Sequence, residues 1–214
     1  MVRRVAGAAG VLLAGGEGRR LAGHRRRRDK GALPVGGRPL AWWAAAALAD
    51  ELKAGAGRLR VAACRRRDWY RRLPGVERVV PDPGGRPGGP AAGLAAAPAR
   101  SPWVAVLPCD ALPPPPGWVG ALVARARRSG APVCVGTVGG RPVWTHLVFR
   151  GRLRRDLLAY LRAGGASLQG WVRRHRWAAR ELGALEQANR PGDLRRLRLR
   201  AARVRAVGRR GRGR

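Results

Sequence analysis

Short apolar runs and longer alanine- and leucine-rich segments take turns along this chain, separated by glycine, proline and arginine clusters. Val11-Leu12-Leu13 has no helical period and opens directly into Gly15, Gly16 and Gly18, which predicts a buried strand followed by a sharp turn. Pro39–Leu52 is helical by propensity, with Trp42 and Trp43 expected as core anchors. Arg58–Cys64 alternates and predicts a second strand, Asp68–Leu73 a short helix, and Glu77–Pro81 a third strand. Trp103–Leu107 is continuously apolar and therefore a central strand. Pro113–Pro116 halts the chain before a helix over Gly117–Arg128, whose Trp118, Leu122 and Val123 form its apolar face. Strands over Pro132–Thr137 and Val143–Phe149, helices over Arg152–Arg162 and Ser167–His175, and a strand near Ala178–Leu182 complete the pattern. Strands alternating with helices at this spacing imply an α/β fold with a mostly parallel central sheet. The length of 214 residues fits one domain, expected over residues 1–200, with a basic, frayed tail over 201–214.

Two stretches carry chemistry. After the first strand, the glycines allow bare backbone N–H groups to approach an anion, and Arg20 and Lys30 add positive charge beyond them. The spacing is not the P-loop pattern, because Lys30 is followed by Gly31, and it does not match the dinucleotide fingerprint. Lys30 stands out because Lys30 and Lys53 are the only lysines among 45 cationic side chains. The second stretch is Pro102–Asp110, where Asp110 sits at the carboxyl end of the central strand. That is the edge at which open α/β sheets bind ligands. A carboxylate there suits Mg²⁺ bound to phosphate oxygens, or caps the following turn. Neighbouring Cys109 has no histidine tied to it in sequence and reads as a small buried residue. His146, inside a strand, reads as packed.

The formal net charge of +33 invites a nucleic-acid reading. Isoleucine is absent, and asparagine, phenylalanine, tyrosine and lysine are scarce, while arginine, alanine, glycine and proline abound. The scarce residues share AT-rich codons, so a GC-rich coding sequence accounts for most of the arginine excess. Aromatic residues do not interleave with the basic clusters as a base-stacking platform requires. Nonspecific nucleic-acid binding at low salt remains an electrostatic expectation. Cys64, Cys109 and Cys134, odd in number and widely spaced, argue against a disulfide scaffold and against a zinc site, and the cytoplasm is the expected location. No uncharged apolar run of about 18 residues occurs, so no membrane partner is expected. The N-terminus mimics a short signal peptide, but cleavage there would destroy the first strand, so export is not expected.

Leu13-Ala14-Gly15-Gly16, Arg20-Leu21 and Asp29-Lys30 resemble the L-A-G-G-x-x-x-R-M-G-x-D-K signature of the molybdenum cofactor guanylyltransferase family. Leu33–Leu40 is similar to the family's next segment, Gly89-Pro90-Ala91-Ala92-Gly93-Leu94 to its G-P-L-A-G-L, and Pro108-Cys109-Asp110 to its P-C-D-M-P. Gly139–Val143 falls where relatives have a short turn. Tyr160–Leu168 resembles the connection that shapes the acceptor side, and Gln187–Leu194 a closing N-x-N-T-P-E-D-L. The chain departs in two ways: seven residues, 22–28, separate Leu21 from Asp29 where the family is shorter, and Gln187 and Arg190 replace an Asn and a Thr.

The resemblance, in order from Val5 to Leu197, implies a three-layer Rossmann-like nucleotidyltransferase fold. It implies transfer of GMP from GTP to molybdenum-bound molybdopterin with release of pyrophosphate. Leu13, Ala14, Gly15, Gly16, Gly18, Lys30, Asp82, Gly89 and Pro90 would bind nucleotide; Arg20, Lys30 and Asp110 would be catalytic; Asp110 would hold Mg²⁺. Arg141, Gln187 and Asn189, the last the chain's only asparagine, would face the acceptor. Molybdoenzymes or their chaperones are implied as further partners. A relative using CTP or another phosphorylated acceptor, or a degenerate nucleotide binder, are the alternatives.

Overall fold

The computed structural model describes residues 5–14, 29–53, 58–63, 67–81, 89–111 and 114–183. Its main sheet contains seven strands: β1 (Ala9–Leu13), β4 (Arg58–Ala62), β5 (Val76–Val80), β6 (Val104–Pro108), β7 (Val133–Val138), β8 (Arg141–Phe149) and β9 (Trp177–Glu181). They lie in the order β5-β4-β1-β6-β8-β7-β9. Every pairing is parallel except those of β8, which runs antiparallel to both β6 and β7. Two-residue strands β2 (Pro34–Val35) and β3 (Arg38–Pro39) form a separate small hairpin.

The strands alternate faces, and each face has its own apolar core. Leu12, Val61, Ala105, Leu107 and Val148 point toward α1 (Leu40–Lys53) and α4 (Trp118–Ser129). Val11, Val104, Val106, Leu147 and Phe149 point the other way. There they meet α3 (Gly89–Gly93), α5 (Arg154–Arg162) and α6 (Leu168–Val172). The fully apolar burial of β6 is what its sequence pattern predicts for a central strand of a three-layer α/β domain. Element boundaries agree with the sequence pattern to within a few residues. The largest differences are at α6, which is shorter than Ser167–His175, and at the short helix expected over Asp68–Leu73, which spans Arg67–Tyr70.

Trp42 and Trp43 are half-buried rather than core anchors. The small residues of α1 (Ala41, Ala44 and Ala45), with Leu48 and Leu52, take the face toward the sheet. The Trp43 indole donates to the Val35 carbonyl at 2.9 Å and so clasps the β2–β3 hairpin, while Arg38 lies over the Trp42 ring. The helix layer is tied together by Glu51 of α1, which accepts from the backbone amides of Gly117 and Val119 and caps α4 in place of a local side chain. The β7–β8 turn is pinned from β9: Glu181 accepts from the Thr137 hydroxyl at 2.7 Å and from the Gly139 and Gly140 amides.

His146 is fully buried in β8, as its sequence setting predicts, and burial lowers its imidazole to about 4. Because the folded value lies below the ordinary 6.5, the stabilisation is complete above that value and is lost as pH falls toward 4. Unfolding in denaturant across this window should show a loss of about 3 kcal/mol attributable to His146. The His146→Leu variant should have a correspondingly flatter profile; an unchanged slope would contradict the assignment.

Candidate active site

Chain order and strand order part at β1, and again where β8 inserts between β6 and β7. From β1 the chain moves outward through β4 to β5, then returns to the other side of β1 as β6. The crevice beyond the carboxyl ends of β1 and β6 is therefore a topological switch point, where open α/β sheets bind ligands. Leu13 lies level with Pro108 across this pair, and the Cys109 amide donates to the Leu13 carbonyl at 2.9 Å. Ala14 extends the register by donating to the Ala62 carbonyl of β4 at 2.8 Å. The start of the glycine-rich loop and Asp110 thus emerge side by side.

Lys30 completes the site. Its Nζ lies 3.0 Å from Asp110 Oδ2, and both side chains are mostly buried, with 16% and 21% of their surfaces exposed. The Lys30 backbone belongs to a 3₁₀ turn, Lys30–Ala32, capped by Asp29, which accepts from the Gly31 amide at 3.0 Å. The Asp29 carboxylate also receives the Tyr70 hydroxyl, 2.8 Å from Oδ1 and 2.9 Å from Oδ2. Buried between these groups, the Cys109 thiol is raised well above its ordinary range by desolvation, then by Asp110 and Asp29, with Lys30 opposing. It is a packed residue, not a nucleophile.

On the other face, α3 packs its glycine end onto the loop-bearing strand. A side chain at Gly93 would meet Leu13 Cδ2 at 2.6 Å and Ala62 Cβ at 3.3 Å, so the glycine lets the helix approach this closely without displacing Leu13. That contact fixes Gly89 and Pro90, both exposed, at the start of α3. A side chain at Gly89 would come within 4.0 Å of the Ala166 carbonyl, so the Gly-Pro segment adjoins the α5–α6 connection predicted on the acceptor side. Asp156 of α5 holds that connection's far end by accepting from the Trp171 indole at 2.9 Å and lying 3.0 Å from His175 Nε2. Arg141 is exposed just after the β7–β8 turn, and β7 runs parallel to β6 through their shared partner β8, so this turn projects from the sheet edge that carries Asp110.

The structure therefore brings Leu13, Ala14, Lys30 and Asp110 together. Gly15, Gly16, Gly18, Arg20, the insertion 22–28, Asp82, Gln187, Asn189 and the tail 201–214 lie outside the described residues. Sequence reasoning places Tyr70 only in a short helix and misses its contact with Asp29. The available signal is chemical: an isolated tyrosine in an arginine-rich segment buries a hydroxyl only where an acceptor waits.

A switch-point crevice with an ammonium and a carboxylate in contact suits a nucleoside triphosphate accompanied by a cation. The ammonium can exchange the carboxylate for phosphate oxygens while the carboxylate takes the metal. Fold and site together define a nucleotidyltransferase-type α/β enzyme. The family profile described as the MobA-like NTP transferase domain matches residues 10–180. The chain is 32% identical over 198 residues to a molybdenum cofactor guanylyltransferase of Cupriavidus pinatubonensis, covering 87% of this chain and 94% of that one. It is 33% identical over 194 residues to the protein of the same name from Cereibacter sphaeroides, covering 86% and 92%. The fold is similar to the crystal structure of molybdopterin-guanine dinucleotide biosynthesis protein A from Archaeoglobus fulgidus. The TM-score is 0.69 at 15% identity, and 92% of this chain and 99% of that one are covered. The chain belongs to the MobA-like NTP transferase family and is a nucleotidyltransferase.

Removing the carboxylate while keeping the core should leave the fold intact and end catalysis. Asp110→Ala is expected to lower NTP turnover about 10³-fold, and Lys30→Ala about 10²-fold or more. Steady-state pyrophosphate release together with circular dichroism measures both, and full activity in Asp110→Ala would remove its assignment.

Proposed function

We propose that this chain transfers GMP from GTP to the terminal phosphate of molybdenum-bound molybdopterin, with release of pyrophosphate. The observation that carries the reading is the Lys30–Asp110 pair at the β1–β6 switch point, in a chain about one-third identical to two guanylyltransferases over most of its length. An acceptor phosphate oxygen attacks the α-phosphorus of GTP, a new P–O bond forms, and the bond to the bridging oxygen of the β-phosphate breaks. The acceptor is already anionic, so no general base is needed. The protein's work is to hold the two phosphates in line and to neutralise charge on their oxygens.

Lys30 supplies positive charge to the triphosphate, joined in this reading by Arg20 and the amides of Gly15, Gly16 and Gly18. Gly89 and Pro90 border the nucleotide, and Asp82 is assigned to nucleotide binding by the family resemblance alone. Arg141, Gln187 and Asn189 serve the molybdopterin side. Asp110 has the hard oxygen donors that Mg²⁺ prefers, and a single protein carboxylate fits an ion that takes its other ligands from phosphate and water. Bound there, Mg²⁺ would neutralise charge on the phosphates as pyrophosphate leaves.

Residues 1–200 act as one catalytic domain with a basic tail beyond it. The cytoplasm is the proposed location: no helix among the described residues is long and apolar enough to cross a membrane, and GTP is a cytoplasmic nucleotide. Molybdoenzymes or their chaperones are the proposed recipients of the product.

Incubation with molybdenum-loaded molybdopterin, Mg²⁺ and each nucleoside triphosphate in turn tests the reading. Pyrophosphate and a guanylylated pterin should form with GTP at a kcat/KM about tenfold or more above that with CTP or ATP. Preference for CTP, or nucleotide binding without transfer, would overturn it.

A further inference from the structure

We infer that Tyr70 is a positioning residue for the transfer reaction, acting on Lys30 through Asp29. This rests on the reading of Lys30 as a phosphate-binding cation. Tyr70 ends α2 (Arg67–Tyr70), the short helix after β4, and its ring is fully buried. Trp69 stacks on it with ring centroids 4.2 Å apart and planes 24° from parallel. Burial of the hydroxyl is tolerated because the Asp29 carboxylate receives it, the single proton being shared between Oδ1 and Oδ2. Asp29 in turn caps the turn that begins at Lys30.

The fit is tight enough to transmit position. A Cβ at Gly31 would lie 3.0 Å from the Tyr70 hydroxyl, 3.1 Å from Ala41 Cβ and 3.3 Å from Asp29 Oδ1, so the turn rests directly on the tyrosine and on α1. The Lys30 backbone is thus held on the β4 side, while its ammonium reaches Asp110 at the end of β6. Asp29 is accordingly a strut and Asp110 the carboxylate offered to ligand. In this reading Lys30 takes its place from the anchored turn, which follows directly on the seven residues, 22–28, that stand where the family has a shorter segment.

A double-mutant cycle of Tyr70→Phe with Lys30→Ala tests this, because phenylalanine keeps the ring and removes only the hydroxyl. With the native Lys30, Tyr70→Phe should lower kcat/KM for GTP about tenfold and weaken calorimetric Mg²⁺·GTP binding about threefold. In the Lys30→Ala background the same substitution should change neither. A parallel pair supports the relay: Asp29→Asn, which keeps an acceptor oxygen, should lose less than Asp29→Ala. Equal losses in both backgrounds, or no loss in Tyr70→Phe, would overturn the role of Tyr70. Coupling in GTP affinity without transfer to molybdopterin would retire the guanylyl-transfer reading and leave Tyr70 in place. Absence of GTP binding by the unmodified chain would overturn both.

Discussion

The contact between Lys30 and Asp110 is the interaction on which the rest of this structure depends. Two opposite charges, each mostly withdrawn from water, have been brought together from positions 80 residues apart. Breaking such a pair by removing one partner leaves the other exposed to an unfavourable, partly desolvated environment. In the proposed reading, a magnesium–triphosphate complex would separate the pair without that cost, because it would offer phosphate oxygens to the ammonium and a cation to the carboxylate. The pair that meets in the ligand-free site is, in that reading, complementary to an anion that carries its own metal.

The remainder of the fold keeps those two groups in register. Parallel pairing of β1 with both β4 and β6 brings three strand ends to one edge, and the backbone bonds of Ala14 and Cys109 continue the sheet up to the site. The scarce carboxylates are placed with a consistent purpose. Asp29 accepts from Gly31 and Tyr70, Glu51 from Gly117 and Val119, Asp156 from Trp171, and Glu181 from Thr137, Gly139 and Gly140. In a chain with 45 cationic side chains and 12 acids, these four are committed to turns, helix starts and indole or hydroxyl donors. Their contribution lies in fixing backbone at defined points rather than in balancing charge, since exposed ion pairs add little.

Much of this architecture is legible in the amino-acid sequence. Alternation, apolar runs and glycine–proline boundaries report local burial and local turns, which is why β1, β4, β5 and β6 and the longer helices fall where the pattern places them. Lys30 is marked by the rarity of lysine, and Asp110 by following a wholly apolar strand. Where local pattern misleads, tertiary competition is the reason. Trp42 and Trp43 look like core residues, but α1 has one inward face and its alanines and leucines fill it. The β2–β3 hairpin is too short to carry a period at all.

The sequence by itself determined the class of fold, the central strand and the two charged residues around which the site is built, because each is written in neighbouring residues. Only the tertiary structure decided that those charges touch, that Tyr70 supports the turn bearing one of them, and that Glu51 and Glu181 secure distant turns. These are pairings across 41 to 80 residues. No local periodicity encodes them; they exist because a parallel sheet carries remote segments to a common edge, and the partners are set by which side chains arrive there.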